Sequence, residues 1–243
     1  MFLQQLPYQV GRTLVDVYAR WVLGMDVEYQ AALPDGPKIL AANHPTTTDP
    51  FYLMTIVPEQ VSILVTGLAF QVPLFGDYLR AAQHIPVLPD KGRLAFEQAK
   101  ERLLAGGTIG IFPEGALSPL DGSPGFHQAR TGAVRLALST GAPVIPVGVY
   151  MDPAQIRCST VQAGDQADTA RWYPAGPYAV TVGKAIYLEG EVEDRDYVRS
   201  ASQYVMQHIA YLSWQSDQRI RQDALACKLL PRLLWRRGAV ERA

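Results

Sequence analysis

Alternating helical and extended segments predict an α/β protein: a mixed, mostly parallel central sheet covered by helices, with an amphipathic helix ahead of it and a long helix behind. Composition sets the frame. A chain of 243 residues, 48% hydrophobic and 19% charged, fits a single domain with a sizeable core and excludes disorder and fibrous repeats. With 22 Lys and Arg against 23 Asp and Glu, a broad cationic face is absent, so no nucleic-acid partner is expected. Cys158 and Cys227 are too few for a disulfide scaffold, which suggests a reducing compartment.

The elements follow in order. Leu6, Val10, Leu14, Val17, Tyr18 and Trp21 recur at three and four, predicting an amphipathic helix over Phe2–Leu23. Polar residues break that stretch, and Gly and Pro interrupt the later apolar runs, so neither a signal peptide nor a spanning helix is expected. The turn Pro34–Pro37 leads into a strand, Lys38–Ala42; Asp49-Pro50 then reads as a helix start with Asp as cap. Val61–Val65 is a strand, Leu68–Arg80 a helix and His84–Leu88 a strand. The helix Arg93–Leu104 stops at Gly106-Gly107 before the strand Thr108–Phe112. Arg130–Ser139 is a helix, Val144–Tyr150 a buried strand, Met151–Pro177 an irregular excursion, Tyr178–Leu188 a strand and Asp194–Leu230 mostly helical.

Two groups at strand C-terminal ends, where open α/β sheets place their sites, carry chemistry. In Asn43-His44-Pro45-Thr46-Thr47-Thr48-Asp49, a histidine precedes an aspartate by five residues across a short turn. Such an aspartate can hold one ring nitrogen and leave the other as a base, although a turn histidine beside a capping aspartate would look the same. In Phe112-Pro113-Glu114-Gly115 a carboxylate directly follows a buried strand and is expected to point into the crevice.

Together His44-x4-Asp49 and Phe112-Pro-Glu-Gly115 resemble the lysophosphatidic acid acyltransferase family, the PlsC-like glycerolipid acyltransferases that act on 1-acylglycerol 3-phosphate. Phe70-x2-Pro73-x2-Gly76, His84-Ile-Pro-Val87, Val144-Ile-Pro146-Val147 and Val182-Gly183-Lys184 fit further blocks, so the resemblance covers about Lys38 to Leu188. It implies the PlsC-like fold, with residues 1–30 an N-terminal helical segment and 31–243 the acyltransferase domain. It also implies that His44 deprotonates an acceptor hydroxyl, which attacks the thioester of acyl-CoA or acyl-carrier protein, while Asp49 orients His44. Phe112, Pro113, Glu114 and Gly115 would shape the acceptor pocket, and Pro146 the donor side. No metal and no cofactor beyond the donor co-substrate is expected, and the absence of Gly-x-Ser-x-Gly fits a reaction without an acyl-enzyme.

Two departures bear on the acceptor. Leu117 stands where the family's third block has an arginine, and Leu88 and Pro89 follow the second block where another is usual. Those arginines would grip an acceptor phosphate through paired hydrogen bonds. Lys91, Arg93 and Arg130 are the nearest substitutes; with both arginines missing at once, the sequence favours a lipid or alcohol acceptor carrying no phosphate there. The alternatives are the ordinary family reaction, a thioesterase, or a non-catalytic lipid-binding protein. His84 and His208 read as packing residues, whereas His127 lies near enough in sequence to reach the acceptor mouth. Lys91, Arg93, Lys100 and Arg102 are the best local patch for a carrier protein. The basic amphipathic stretch Ala224–Val240, with Trp235, suits an anionic headgroup region. A cytoplasmic enzyme lying peripherally on the inner face of a membrane is therefore expected.

Overall fold

A computed structural model describes residues 2–119, 126–163 and 166–240. Its strands are β1 (Asp26–Tyr29), β2 (Lys38–Ala42), β3 (Val61–Thr66), β4 (Ile85–Val87), β5 (Thr108–Ile111), β6 (Val144–Met151), β7 (Arg157–Ala163), β8 (Gln166–Trp172) and β9 (Tyr178–Val182). Seven of them make one sheet in the order β1-β9-β6-β2-β5-β3-β4, parallel at every pairing except β6 with β9. The helices are α1 (Phe2–Trp21), α2 (Asp49–Leu53), α3 (Phe75–Ala81), α4 (Gly92–Leu104), α5 (Gly132–Thr140) and α6 (Arg195–Val240).

All five residues of β2 are buried, as expected of a central strand covered on both faces. Leu40 and Ala42 look into one core with Tyr8, Ala19, Tyr52, Leu53 and Ile56 from α1, α2 and the segment after α2. Ile39 and Ala41 look into the other with Ala95, Ala99, Leu136, Val205 and Ile209 from α4, α5 and α6. The helix after β2 and the helix after β5 thus lie on opposite faces of neighbouring parallel strands. That divergence opens a crevice beyond the two strand ends, the place where open α/β sheets bind ligands. On the far side, α6 reaches the sheet at Gly148, where a Cβ would come within 2.0 Å of the Ser213 amide nitrogen.

Several segments differ from the sequence reading. The helix expected over Leu68–Arg80 is split into a 3₁₀ turn (Ala69–Gln71) and α3. Pro73 has no N–H to continue the ladder, and it holds Val72 extended at ψ 122. Met151–Pro177, expected to be irregular, contains the antiparallel hairpin β7–β8. Residues 157–160 are all exposed, so β7 prints no alternation there on the sequence. β9 ends at Val182 rather than Leu188, although Ile186 still bridges to Val144. α6 starts after Asp194, whose carboxylate accepts the amides of Asp196 and Tyr197. The side chains of its basic C-terminal stretch lie outside those described.

α1 and the turn after it rest on the core through Tyr8, Ala19 and Leu23, with Arg12 donating to the Val57 and Pro58 carbonyls. Its other apolar side is open: Leu6, Val10, Leu14, Val17 and Trp21 are between 45% and 85% exposed. Among the described residues no helix is long and apolar enough to cross a membrane.

Candidate active site

Register brings the two sequence motifs together. Ala41 lies opposite Ile111 in the β2–β5 pair, so the turns that follow these strands leave the sheet side by side. The Asn43 side chain mimics a further rung of β2: its Nδ2 donates to the Val149 carbonyl at 2.9 Å, and its Oδ1 accepts the Val149 backbone amide at 2.8 Å. The next residue, His44, is thereby fixed at the end of the strand.

Asp49 is buried and is the first residue of α2, not its cap; Thr48 holds the cap position. Its carboxylate turns back into the loop. Oδ2 accepts the Thr46 amide at 2.6 Å and faces His44 Nδ1 at 3.2 Å, while Oδ1 accepts Thr46 Oγ1 at 2.5 Å and Tyr178 OH at 2.9 Å. A carboxylate has about four lone-pair sites, and all are used. Because an ionised carboxylate only accepts, the Nδ1 nitrogen carries the proton, and Nε2 is left with its basic lone pair. Nε2 has no hydrogen-bond partner among the described residues, and the ring is partly exposed. Phe112 stacks on that ring at 4.2 Å between centroids. Tyr178 is fully buried, and desolvation, then the neighbouring Asp49 charge, push its phenol well above the usual range, so it remains a donor. Burial likewise pushes Tyr52 up to about 12.

Glu114 lies where the sequence put it, but its carboxylate does not open into the crevice. Oε1 accepts the His44 amide at 3.1 Å and the Ser118 hydroxyl, and Oε2 accepts the His127 amide at 3.1 Å. Ser118 completes the tie: its amide donates to the His44 carbonyl at 2.7 Å and its Oγ accepts the His44 amide at 3.0 Å. Glu114 therefore latches the turn after β5 to the turn that carries His44. His127 is part of the same knot, with Nε2 3.1 Å from the Leu117 carbonyl.

The other expected substrate residues divide. Arg130 is at the site: its amide donates to the Pro113 carbonyl, and its guanidinium lies across Gly115. A Cβ on Gly115 would come within 2.2 Å of the Arg130 Nε, and the φ of +64° there also favours glycine. Lys91 and Arg93 are exposed beside the start of α4, after the edge strand β4. Three strand spacings, about 14 Å, separate β4 from β2. Pro146 faces away from the His44–Asp49 side. The alternation that aims Val147 at the His44–Asp49 side turns Pro146 toward α6, where a Cβ on Gly183 would meet both Pro146 and Leu212.

Two residues were not legible in the motifs. Tyr178 comes from the first position of β9, and Arg171 from the end of β8. The Arg171 amide donates to Thr47 Oγ1, its carbonyl accepts the Thr47 amide, and its guanidinium donates to the Ser118 carbonyl. Under α2 a small void, no larger than a water molecule needs, lies within the core, lined by Ala42, Tyr52, Leu53, Ile56, Phe112, Val147 and Val149, with Asp49 and Tyr178 as its polar end.

Comparison with known proteins gives three findings. A family model described as Acyltransferase matches residues 24–150, just over half of the chain. The crystal structure of the 1-acyl-sn-glycerophosphate acyltransferase PlsC from Thermotoga maritima superposes with a TM-score of 0.61 at 18% identity, covering 84% of this chain and 78% of that one. No curated protein matches.

Proposed function

The chain belongs to the Acyltransferase family, and from that premise we propose that it moves a fatty acyl group from a thioester donor, acyl-CoA or acyl-carrier protein, to a hydroxyl of a lipid acceptor. The observation that carries this reading is the His44–Asp49 pair at the end of β2, whose Nε2 has no hydrogen-bond partner among the described residues. In the step, Nε2 takes the proton from the acceptor O–H as the oxygen attacks the thioester carbonyl. The imidazolium is stabilised by Asp49. When the C–S bond breaks, Nε2–H returns the proton to the departing thiolate sulfur. A base so placed contributes about 10²–10⁴ in rate. No cofactor other than the donor enters the step.

Acceptor recognition differs from the family's usual pattern, since Leu117 and Leu88 stand at two expected arginine positions. An acceptor without phosphate and 1-acylglycerol 3-phosphate are both compatible with the His44 chemistry; Arg130 lying over Gly115 favours the second. Peripheral membrane binding is supported by the open apolar stripe of α1, which at helical spacing suits the acyl–headgroup boundary.

The test is thiol release from acyl-CoA, with lipid products resolved by mass, across 1-acylglycerol 3-phosphate, unphosphorylated lysolipids and glycolipids. Transfer in the wild type and none in His44→Ala is expected. Wild-type turnover in His44→Ala would sink the base assignment, and free fatty acid alone would indicate a thioesterase.

A further inference from the structure

α6 is seated on the sheet through Val205, Ile209 and Leu212, and its other side is open. Between Arg199 and Arg221 the exposed positions are Ser200, Gln203, Tyr204, Gln207, Tyr211 and Trp214, and none of them carries a charge. Tyr204, Tyr211 and Trp214 are 48%, 55% and 54% exposed. Their rings are ordered against one another and the helix. Tyr211 stacks on Trp214 at 5.7 Å between centroids, and Tyr204 lies 4.3 Å from the His208 ring, whose Nδ1 donates to the Tyr204 carbonyl. An ordinary surface helix presents charges on this side. An aromatic-rich, charge-poor face is instead the composition of an interface core.

The order of residues along the helix says what covers it. Tyr204-x2-Gln207-His208-x2-Tyr211 reads nearly the same in both directions about a point between Gln207 and His208. Laid antiparallel on a second copy, Tyr204 of one meets Tyr211 of the other, and Gln207 and His208 each meet themselves. That self-matching is what a two-fold interface requires. The same arrangement sets the acidic start of α6, where Glu193, Asp194 and Asp196 are exposed, beside Arg221 of the second copy, whose side chain is 63% exposed at the far end. The six exposed residues offer about 600 Å² per copy, so about 1,200 Å² in the pair, which reaches the range of specific interfaces. A bilayer fits less well. The face has no Lys or Arg to meet headgroups, and α1 with its own open stripe covers the opposite face of the sheet, so one bilayer cannot receive both.

We propose that the outer face of α6 pairs two copies of this chain, antiparallel about a two-fold axis between Gln207 and His208, through Tyr204, Tyr211 and Trp214. The inference stands apart from the acyl-transfer reading, and the pairing leaves the α1 stripe uncovered.

The experiment is sedimentation equilibrium of the full chain over a wide concentration range. The mass is expected to rise from 26.7 kDa toward twice that value. Tyr204→Glu with Tyr211→Glu, which sets like charges against one another across the axis, should raise the dimer dissociation constant at least about thirtyfold. Leu14→Asp with Val17→Asp on α1 should leave it within about twofold. A wild type that stays monomeric throughout would overturn the proposal, as would a dimer that survives the tyrosine substitutions or one lost in the α1 variant. Co-sedimentation with anionic vesicles that falls with the tyrosine substitutions would assign the face to a bilayer and overturn it as well. Single cysteines in a Cys158→Ser, Cys227→Ser background read the geometry. With helix axes about 8–10 Å apart, antiparallel pairing brings the two Gln207 positions within disulfide reach and holds the two Ser200 positions about 22 Å apart. Oxidation should therefore link Gln207→Cys dimers at least about tenfold faster than Ser200→Cys dimers. Equal rates would overturn the antiparallel pairing. Should the tyrosine variant melt early, these two neutral substitutions carry the comparison.

Discussion

Replacing Glu114 by Gln distinguishes a latch from a substrate ligand. The carboxylate accepts two donors on Oε1 and one on Oε2. Glutamine offers one oxygen and one NH₂, so one of those positions becomes a donor facing a donor. The less costly flip keeps the oxygen toward the His44 amide and Ser118 and turns NH₂ toward the His127 amide; His127 is exposed, so water can take its orphaned N–H. The two retained bonds fall from charge-assisted to neutral strength, a loss of about 1 kcal/mol each. A net destabilisation of about 2 kcal/mol follows, which for a chain of this size lowers the melting temperature by about 4–8 °C. Because His44 loses rigidity while the acceptor loses no ligand, kcat should fall about tenfold with acceptor KM within about twofold. Thermal unfolding followed by circular dichroism and steady-state kinetics read the two quantities. A melting temperature within about 2 °C of wild type, together with a tenfold rise in acceptor KM, would refute the reasoning and make Glu114 a substrate contact.

Tyr178→Phe removes one of the two donors on Asp49 Oδ1. A loss of about 1.5–3 kcal/mol in urea unfolding is expected, with lower kcat and unchanged KM for donor and acceptor; a rise in KM alone would contradict the positioning role. His84 is buried against the Tyr8 and Tyr78 rings, Nδ1 accepting the Ile63 amide and Nε2 without a partner among the described residues. Burial lowers its pKa from 6.5 to about 4, so between these values the unfolded chain binds a proton that the native state does not. Stability should therefore fall by about 3 kcal/mol as pH drops from 6.5 to 4. In His84→Asn, which keeps an acceptor for Ile63, that part of the pH dependence should vanish; its persistence would assign it elsewhere. Leu14→Asp with Val17→Asp on the open face of α1 should leave the melting temperature within about 2 °C and lower co-sedimentation with anionic vesicles at least fivefold; unchanged sedimentation would remove α1 from membrane binding.

What the sequence made legible is what the chain does locally. His44 and Asp49 are five residues apart on one turn, and Glu114 directly follows a strand whose apolar run marks it as central; both motifs emerged at neighbouring strand ends. The contacts that hold these groups were hidden by separation. Tyr178 meets Asp49 across 129 positions and Arg171 meets Thr47 across 124, and no periodicity links residues so far apart. Arg171 was doubly obscured, because the first strand of its hairpin is exposed over residues 157–160 and leaves no alternating pattern.

Pro146 and α1 show a second limit. The Val144–Tyr150 run announced a buried strand, but burial on both faces removes the alternation that would say which side chains face the His44–Asp49 side. In α1 the three- and four-residue spacing identified a stripe, Leu6, Val10, Leu14, Val17, Tyr18 and Trp21, of which only Tyr18 packs on the core; the helix is seated through Tyr8, Val15, Tyr18 and Ala19. Both stripes satisfy the same period. The seat is decided by contacts that the period does not contain: Tyr8 OH receives the Val61 amide, Arg12 reaches the Val57 and Pro58 carbonyls, and Gly11 leaves room for the Tyr78 ring. A polar side chain that must find a partner in the sheet thus orients α1 more firmly than apolar spacing does, and the stripe left over faces outward beside a site whose substrates are lipids by the reading proposed here.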